Sequence, residues 1–267
     1  QPLFIYRRIQ ELHEESGDTF HTLLSDWEKA FDKVDQDRLV QALARLGIPP
    51  KILKIIAAIY ATPAFTVTEG TNNSTERQQR AGIRQGCPLS PYLFILLLSI
   101  VSHDANSKHK TLAQERTLAE GQPHGTDIGE LYYADDTLIM ARTPHAAQIT
   151  LRNIESESNK YNLKLNYAKC IHIQMNDIRR IRYSNGSFVP TATQATYLGG
   201  LISAKGGHKQ ELHNRLTSTW GVAKKLDLLW RRAPVSLKWK LRIYNSVIVS
   251  RALYGLETIP QTEADDS

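Results

Sequence analysis

Asp135 and Asp136 stand side by side within Tyr132-Tyr133-Ala134-Asp135-Asp136-Thr137-Leu138-Ile139-Met140, and a third acid, Asp26, follows directly on Thr19-Phe20-His21-Thr22-Leu23-Leu24-Ser25. Two adjacent carboxylates repel each other unless a proton or a cation joins them. One reading makes Ala-Asp-Asp a solvated turn, where Asp is common. The other brings Asp26 beside the pair, and three carboxylates then form a hard-oxygen site. Mg²⁺ suits such a site, because it favours a few carboxylates with waters and substrate phosphates completing an octahedron. Two such ions about 4 Å apart activate an attacking hydroxyl and stabilise a leaving oxygen in line, the arrangement of phosphoryl and nucleotidyl transfer.

The elements that must position these acids are two strands and a turn. Ile128-Gly129-Glu130-Leu131 enters as a short extended segment, and Thr137 to Ala141 is apolar and β-branched, so the acid pair is expected at a hairpin tip. Thr19 to Ser25 reads as a buried strand delivering Asp26. Two buried strands side by side in one sheet would carry all three acids to the same end. Around them, Phe4 to His13 has helical spacing with Arg7 and Arg8 on its exposed side. Asp35 is placed to cap a helix from Arg38 to Leu46, and Gly47-Ile48-Pro49-Pro50 ends that helix and starts another from Lys51 to Tyr60. Ala64 to Glu69 and Thr75 to Gly82 read as a hairpin around Gly70 to Ser74. Gly82 to Pro91 is a loop whose glycines allow close backbone approach, and a helix runs from Tyr92 to Ser102.

His103 to Thr126 is polar and reads as a mobile connector. Pro144 to Tyr161 is amphipathic, with Ala147, Leu151, Ile154 and Ser158 on one face. Lys169 to Met175, Arg179 to Tyr183 and Gln194 to Ser203 read as strands. Helical pattern then returns near Gln210 to Trp230 and Ser236 to Tyr254, before an acidic, frayed tail from Gln261.

The 267 residues suffice for one large domain or two smaller ones with a real core. The opening Gln1-Pro2-Leu3-Phe4 has no leader character and is the expected appearance of a segment of a longer protein. The apolar run Tyr92 to Val101 is too short to span a bilayer, and Cys87 and Cys170 form no metal or disulfide framework. An intracellular protein, nuclear or cytoplasmic and without a membrane partner, is expected. The formal charge of +6 is unevenly spread: residues 205–251 carry eleven Lys and Arg against two acids, a net of +9, leaving −3 for the rest. Trp220, Trp230, Trp239 and Tyr244 lie among those charges. Such interleaving suits phosphate contact with base stacking; the alternative is a helical bundle with a solvated basic face and core tryptophans.

Four blocks in order carry a resemblance: Asp26-Trp27-Glu28-Lys29-Ala30-Phe31-Asp32-Lys33-Val34; Gly82 to Pro91 with Tyr92-Leu93-Phe94; Tyr133-Ala134-Asp135-Asp136; and Tyr197-Leu198-Gly199. Over nearly the whole chain the sequence resembles the palm and thumb of non-LTR retrotransposon (LINE-type) reverse transcriptases, the four blocks answering to motifs A, B, C and the primer grip. The form Arg-Gln-Gly-Cys-Pro-Leu-Ser-Pro is closer to that group than to group II intron maturases. The resemblance implies an α+β right-hand polymerase fold: an antiparallel palm sheet packed on helices, then an all-helical thumb, with fingers largely missing. Residues 1–19 would be a remnant of the fingers, 20–205 the palm with the primer grip, and 206–267 the thumb.

The activity implied is RNA-directed DNA polymerisation with two Mg²⁺ ions, Mn²⁺ being a substitute. RNA template, DNA primer and deoxynucleoside triphosphates would be partners, with an endonuclease domain upstream. Asp26 and Asp135 would bridge the metals and Asp136 assist. Phe31 would be the ribose gate, and Arg84, Gln85 and Gly86 would line the nucleotide. Lys169 would protonate departing pyrophosphate. Lys224, Lys225, Arg231, Arg232, Lys238 and Lys240 would hold nucleic acid. The bland alternatives are a core role for Phe31, an ordinary loop role for Arg84 and an exposed strand start at Lys169. Two departures stand out: no basic fingers segment precedes motif A, and Asn162 and Cys170 replace a Gly and a small hydroxyl residue near motif D. A non-catalytic RNA-binding relic is the alternative function.

Overall fold

The computed structural model describes residues 2–79, 81–108, 128–205 and 208–259. Two compact units emerge, Thr19–Ala192, and Gln1–Asp18 together with Thr193–Ser267.

The first unit is built on a four-stranded, wholly antiparallel sheet of β1 (Phe20–Ser25), β6 (Glu130–Tyr133), β7 (Asp136–Ala141) and β8 (Ile171–Met175), in the order β6-β7-β1-β8. Central strand β1 is buried along almost its whole length, its polar His21, Thr22 and Ser25 included. Helices cover the sheet: α3 (Gln36–Arg45), α4 (Pro50–Tyr60), α5 (Ser90–Ser107) and α6 (Pro144–Asn159). Their inward faces join Leu23 and Ile139 of the sheet in one core with Leu39, Leu43, Ile56, Phe94, Leu97, Val101, Leu151 and Ile154. Asp35 accepts from the Arg38 amide at 2.9 Å and caps α3, while Thr143 caps α6 through the Ala146 amide at 3.1 Å. A bidentate Arg45–Asp104 pair, 2.7 and 2.8 Å, fastens α3 to α5.

Several elements depart from expectation. Helix α5 starts at Ser90 and runs to Ser107, so the polar segment from His103 begins as helix; residues 109–127 lie outside the described residues. The hairpin between α4 and the Gly82 loop is a ladder of two-residue strands, β2 (Ala64–Phe65) with β5 (Arg77–Gln78) and β3 (Thr68–Glu69) with β4 (Asn72–Asn73). All eight of these residues are exposed, so no buried face fixes a longer register. Arg179 to Tyr183 contributes only an isolated bridge, Arg182 to Phe188.

In the second unit, Gln194 to Ser203 is not one strand but the hairpin β9 (Gln194–Tyr197) and β10 (Gly200–Ser203). Helix α1 (Pro2–Ser16) packs over it, and Arg7 is buried rather than on an exposed face. A buried carboxylate explains this: Arg7 lies 3.9 Å from Glu211 and donates to the Gly255 carbonyl at 2.9 Å. The remaining helices are α7 (His208–Lys225), α8 (Asp227–Arg232), α9 (Leu237–Ile243) and α10 (Ser250–Leu253), with a π-helical stretch at Tyr244–Val249 before α10. The two long helical runs read from the sequence are thus each interrupted. The acidic tail from Gln261 lies outside the described residues.

Candidate active site

The ladder between β1 and β7 ends with Ser25 opposite Thr137. The next residues outward are Asp26 on one strand and Asp136 on the other, so the two acids leave the same end of the sheet from adjacent strands. Tyr133 pairs with Asp136 across the β6–β7 hairpin, leaving Ala134 and Asp135 as its two-residue tip. Ala134 closes that turn at φ 52°, a left-handed backbone that costs a residue with a Cβ roughly 1 kcal/mol or more. Trp27 donates its indole N–H to the Thr137 hydroxyl at 3.0 Å, tying the segment after Asp26 to the strand that carries Asp136.

Partial burial of its carboxyl pushes Asp136 above the usual carboxylate range, and the negative charges on Asp135 and Asp26 push it further. Asp26 is held from behind: its carbonyl accepts from the Asn166 amide at 2.8 Å, and the Glu28 amide donates to the Lys164 carbonyl at 2.8 Å. The same segment brings the Lys169 ammonium to 3.5 Å from the Asp26 carboxylate. Behind it a groove of about 700 Å³ is lined by Glu28, Glu155, Asn159, Lys164, Asn166 and Tyr167 and by none of the three acids. Asn162, where the resemblance would place a Gly, sits at φ 61°, a conformation Asn tolerates, and its side-chain amide donates to the Lys33 carbonyl at 2.8 Å. Cys170 is fully buried, and burial raises its thiol.

Among the described residues no three His, Cys, Asp or Glu side chains are gathered closely enough to hold a metal ion. Asp26, Asp135 and Asp136 are nevertheless hard-oxygen donors of the type a divalent cation such as Mg²⁺ takes, and they leave one end of one sheet. That ion would compete with Lys169 for Asp26.

The Gly82 loop is laced to α2 (Ala30–Lys33), the short helix that follows Asp26. The Gly82 and Ile83 amides donate to the Val34 and Phe31 carbonyls, both at 2.7 Å, and the Gln36 side chain donates to the Gly82 carbonyl at 2.7 Å. Gly82 has φ 88°, and a Cβ there would lie 2.6 Å from the Asp32 carbonyl oxygen, so only glycine permits this approach. Gln85 donates to the Asp32 carboxylate at 2.9 Å; the Arg84 carbonyl accepts from the Ser90 hydroxyl at 2.6 Å; Gly86 turns the chain at φ 80°. Phe31 is half-buried and stacks on the fully buried Phe94, centroids 5.0 Å apart and planes 30° apart. Asp32 and Phe94 thus join the neighbourhood of Gln85 and Phe31. Asp32 could have been flagged from the sequence as a further acid in the same block, whereas the Phe31–Phe94 stack has no local signal.

The second unit holds the remaining candidates. Leu198 at φ 47° and Gly199 at φ 74° form the two-residue turn between Tyr197 and Gly200. Lys224, Lys225, Arg231, Arg232 and Lys238 are exposed, Arg231 pairing with Asp227 at 2.7 Å, while half-buried Lys240 donates to the Trp230 carbonyl at 2.7 Å. Trp220 and Trp239 are 66% and 56% exposed, which excludes a core role for both; Lys224 and Arg242 lie over their rings at 6.0 and 5.4 Å. No helix among the described residues is long and apolar enough to cross a membrane.

The sequence matches the family described as reverse transcriptase (RNA-dependent DNA polymerase) over residues 1–202. It is 27% identical over 255 residues to the retrovirus-related Pol polyprotein from type-1 retrotransposable element R2 of Popillia japonica, covering 91% of this chain and 34% of that protein. It is 26% identical to the probable RNA-directed DNA polymerase from transposon X-element of Drosophila melanogaster, over 91% of this chain and 26% of that protein. The RNA-directed DNA polymerase from mobile element jockey of Drosophila funebris is 23% identical over 87% of this chain and 25% of its own length. The chain thus spans about a third or less of these relatives. In three dimensions it is similar in fold to Candida albicans telomerase, with a TM-score of 0.52 and 14% identity over 95% of this chain and 43% of that one. Apo telomerase from Candida tropicalis gives 0.51 and 16% identity over 75% of this chain and 37% of that chain.

Proposed function

Because the chain belongs to the reverse transcriptase (RNA-dependent DNA polymerase) family, we propose that it is the polymerising core of a non-LTR retrotransposon protein, extending a DNA primer on an RNA template with deoxynucleoside triphosphates. The observation that carries this reading is geometric: Asp26 and Asp136 leave the same end of adjacent strands β1 and β7, with Asp135 beside them at the tip of the β6–β7 turn. In this reading the sheet unit with its helices is the palm, and the helices after residue 206 are the thumb. An endonuclease in the same polypeptide and a nuclear or cytoplasmic site of action belong to the same proposal.

Asp26, Asp135 and Asp136 would hold Mg²⁺, with Mn²⁺ able to replace it; two ions, when bound, supply Lewis acidity to the attacking hydroxyl and the leaving phosphate oxygen. The chain's own residues do the rest. Lys169, 3.5 Å from Asp26, is placed to give a proton to departing pyrophosphate. Phe31, backed by the fully buried Phe94 ring, would present a face that collides with a 2′-hydroxyl and so favours deoxynucleotides. Gln85, fixed by Asp32, and Gly86 form the floor for the incoming nucleotide, with Arg84 beside them.

A non-catalytic RNA-binding role is not favoured, since Asp26, Asp135 and Asp136 are all present and leave one end of the sheet. Primer extension on an RNA template by the full-length protein tests the proposal. Asp136→Asn and Asp135→Asn are each expected to cut deoxynucleotide incorporation by at least about 10³-fold; incorporation unchanged in either variant refutes the assignment of that carboxylate.

A further inference from the structure

The turn Leu198-Gly199 needs two successive residues at positive φ, 47° and 74°. Paired left-handed residues suit the right-handed twist of a two-residue hairpin, but only one of these is a glycine, so Leu198 pays a steric cost that something else must offset. Both of its carbonyls are taken by side chains from distant helical segments. The Tyr254 hydroxyl donates to the Leu198 carbonyl at 2.8 Å, and the Arg215 guanidinium donates to the Gly199 carbonyl. The Tyr254 ring also floors the turn: a Cβ on Gly199 would lie 3.4 Å from its Cε1.

The two braces are themselves coupled. The Arg215 guanidinium lies 5.0 Å from the centre of the Tyr254 ring, and its Nε donates to Glu211 at 2.7 Å. Glu211 is 4% exposed and accepts from the Leu201 amide at 2.8 Å, so the arginine is oriented by a carboxylate that also grips the strand leaving the turn. Arg7 neutralises that carboxylate from the other side at 3.9 Å. Tyr254 is 51% exposed, whereas the Arg215 side chain is only 14% exposed and is held against Glu211; both reach the turn.

We propose that Tyr254 and Arg215 are positioning residues that hold the Leu198-Gly199 turn in its left-handed shape, so that it can bear on the backbone of a bound primer strand. The inference rests on the polymerase reading and adds to it the residues that keep the gripping turn rigid. A turn that loses one brace samples other conformations, and the binding-competent one becomes a smaller fraction of the whole. Apparent affinity falls by that fraction. The step of bond formation, carried out by other residues, is not itself slowed.

The test is Tyr254→Phe, which keeps the ring against Gly199 and removes only the donor, alongside Arg215→Ala and Arg215→Lys, in steady-state primer extension by the full-length protein. Tyr254→Phe is expected to raise KM for primer–template about three- to tenfold, the size of one lost hydrogen bond, with kcat at saturating primer–template and Tm close to the wild type. Arg215→Ala is expected to do at least as much, and Arg215→Lys, which retains a cation beside Glu211, to recover part of it. An unchanged KM in Tyr254→Phe overturns the proposal, as does a KM change that only follows a fall in Tm. A wild-type protein that does not extend primers overturns the polymerase reading instead, which separates the two failures.

Discussion

Gly82 shows how a single missing Cβ sets the distance between two parts of the site. At φ 88° with the Asp32 carbonyl where a Cβ would go, Gly82→Ala must either unwind the turn or push the loop away from the helix after Asp26. A loss of about 2–4 kcal/mol is expected, a fall in Tm of about 5–15 °C, measurable by differential scanning calorimetry. At this scale much was legible. The three acids announce themselves by type and by their place at the ends of strand-like segments, and Asp35 reads as a cap because capping is a local matter. Arg7 was not legible: its partner Glu211 lies 204 residues away, and helical spacing alone put the arginine on the wrong face. Nor could spacing reveal that Lys169 turns to Asp26, since that contact depends on the backbone bonds joining residues 164–166 to residues 26–28.

Strands β1 and β8 carry a feature that pattern reading treats as ordinary. His21 and His172 stack with centroids 5.3 Å apart, His21 Nδ1 lies 3.1 Å from His172 Nε2, and His21 Nε2 lies 3.2 Å from Asp177. Both rings are buried, and His172 Nδ1 has no hydrogen-bond partner among the described residues. Burial, then the neighbouring His21, lowers His172 to about 3. Its pKa when unfolded is about 6.5, so the unfolded chain takes up a proton that the folded chain refuses. The stability from keeping His172 neutral is complete above about pH 6.5 and is lost progressively as pH falls toward about 3, with a slope approaching about 1.4 kcal/mol per pH unit. Urea unfolding from pH 7 to pH 4 checks this. His172→Gln is expected to flatten that acid limb, and an equally steep limb in the variant would assign the acid sensitivity elsewhere. The elements themselves were foreseen where their side chains are buried, as along one face of α6 and almost all of β7. They were misjudged where burial is absent, as in the fragmentary ladder of residues 64–78, or where a positive φ interrupts an apolar run, as at Leu198.

Charge is the property of the whole molecule that the sequence displayed best, because summing it needs no coordinates. The net of +9 over residues 205–251 is borne mostly by side chains in solvent, and the exposed Trp220 and Trp239 sit among them. If this surface holds nucleic acid, Lys224→Gln combined with Lys225→Gln should reduce the slope of log K against log salt by about 1.5, from about 0.7–0.9 per phosphate contact. Fluorescence anisotropy with a labelled primer–template between 50 and 200 mM KCl reads this slope as about two lost contacts, and an unchanged slope would remove these two lysines from the surface. The division into units was not legible, because periodicity reports faces and not partners. Residues 1–18 join those after 192 through contacts more than 180 positions apart.

The buried Arg7 gives that division a practical edge. A protein trimmed at residue 18 would keep every acid discussed above, and by alignment of motifs the cut would look harmless. Yet it would strip a buried carboxylate of one of its two cations, and it would uncover Gly200, whose missing Cβ makes room for Leu3 and Arg7. The damage would surface at a turn nearly two hundred positions downstream of the cut.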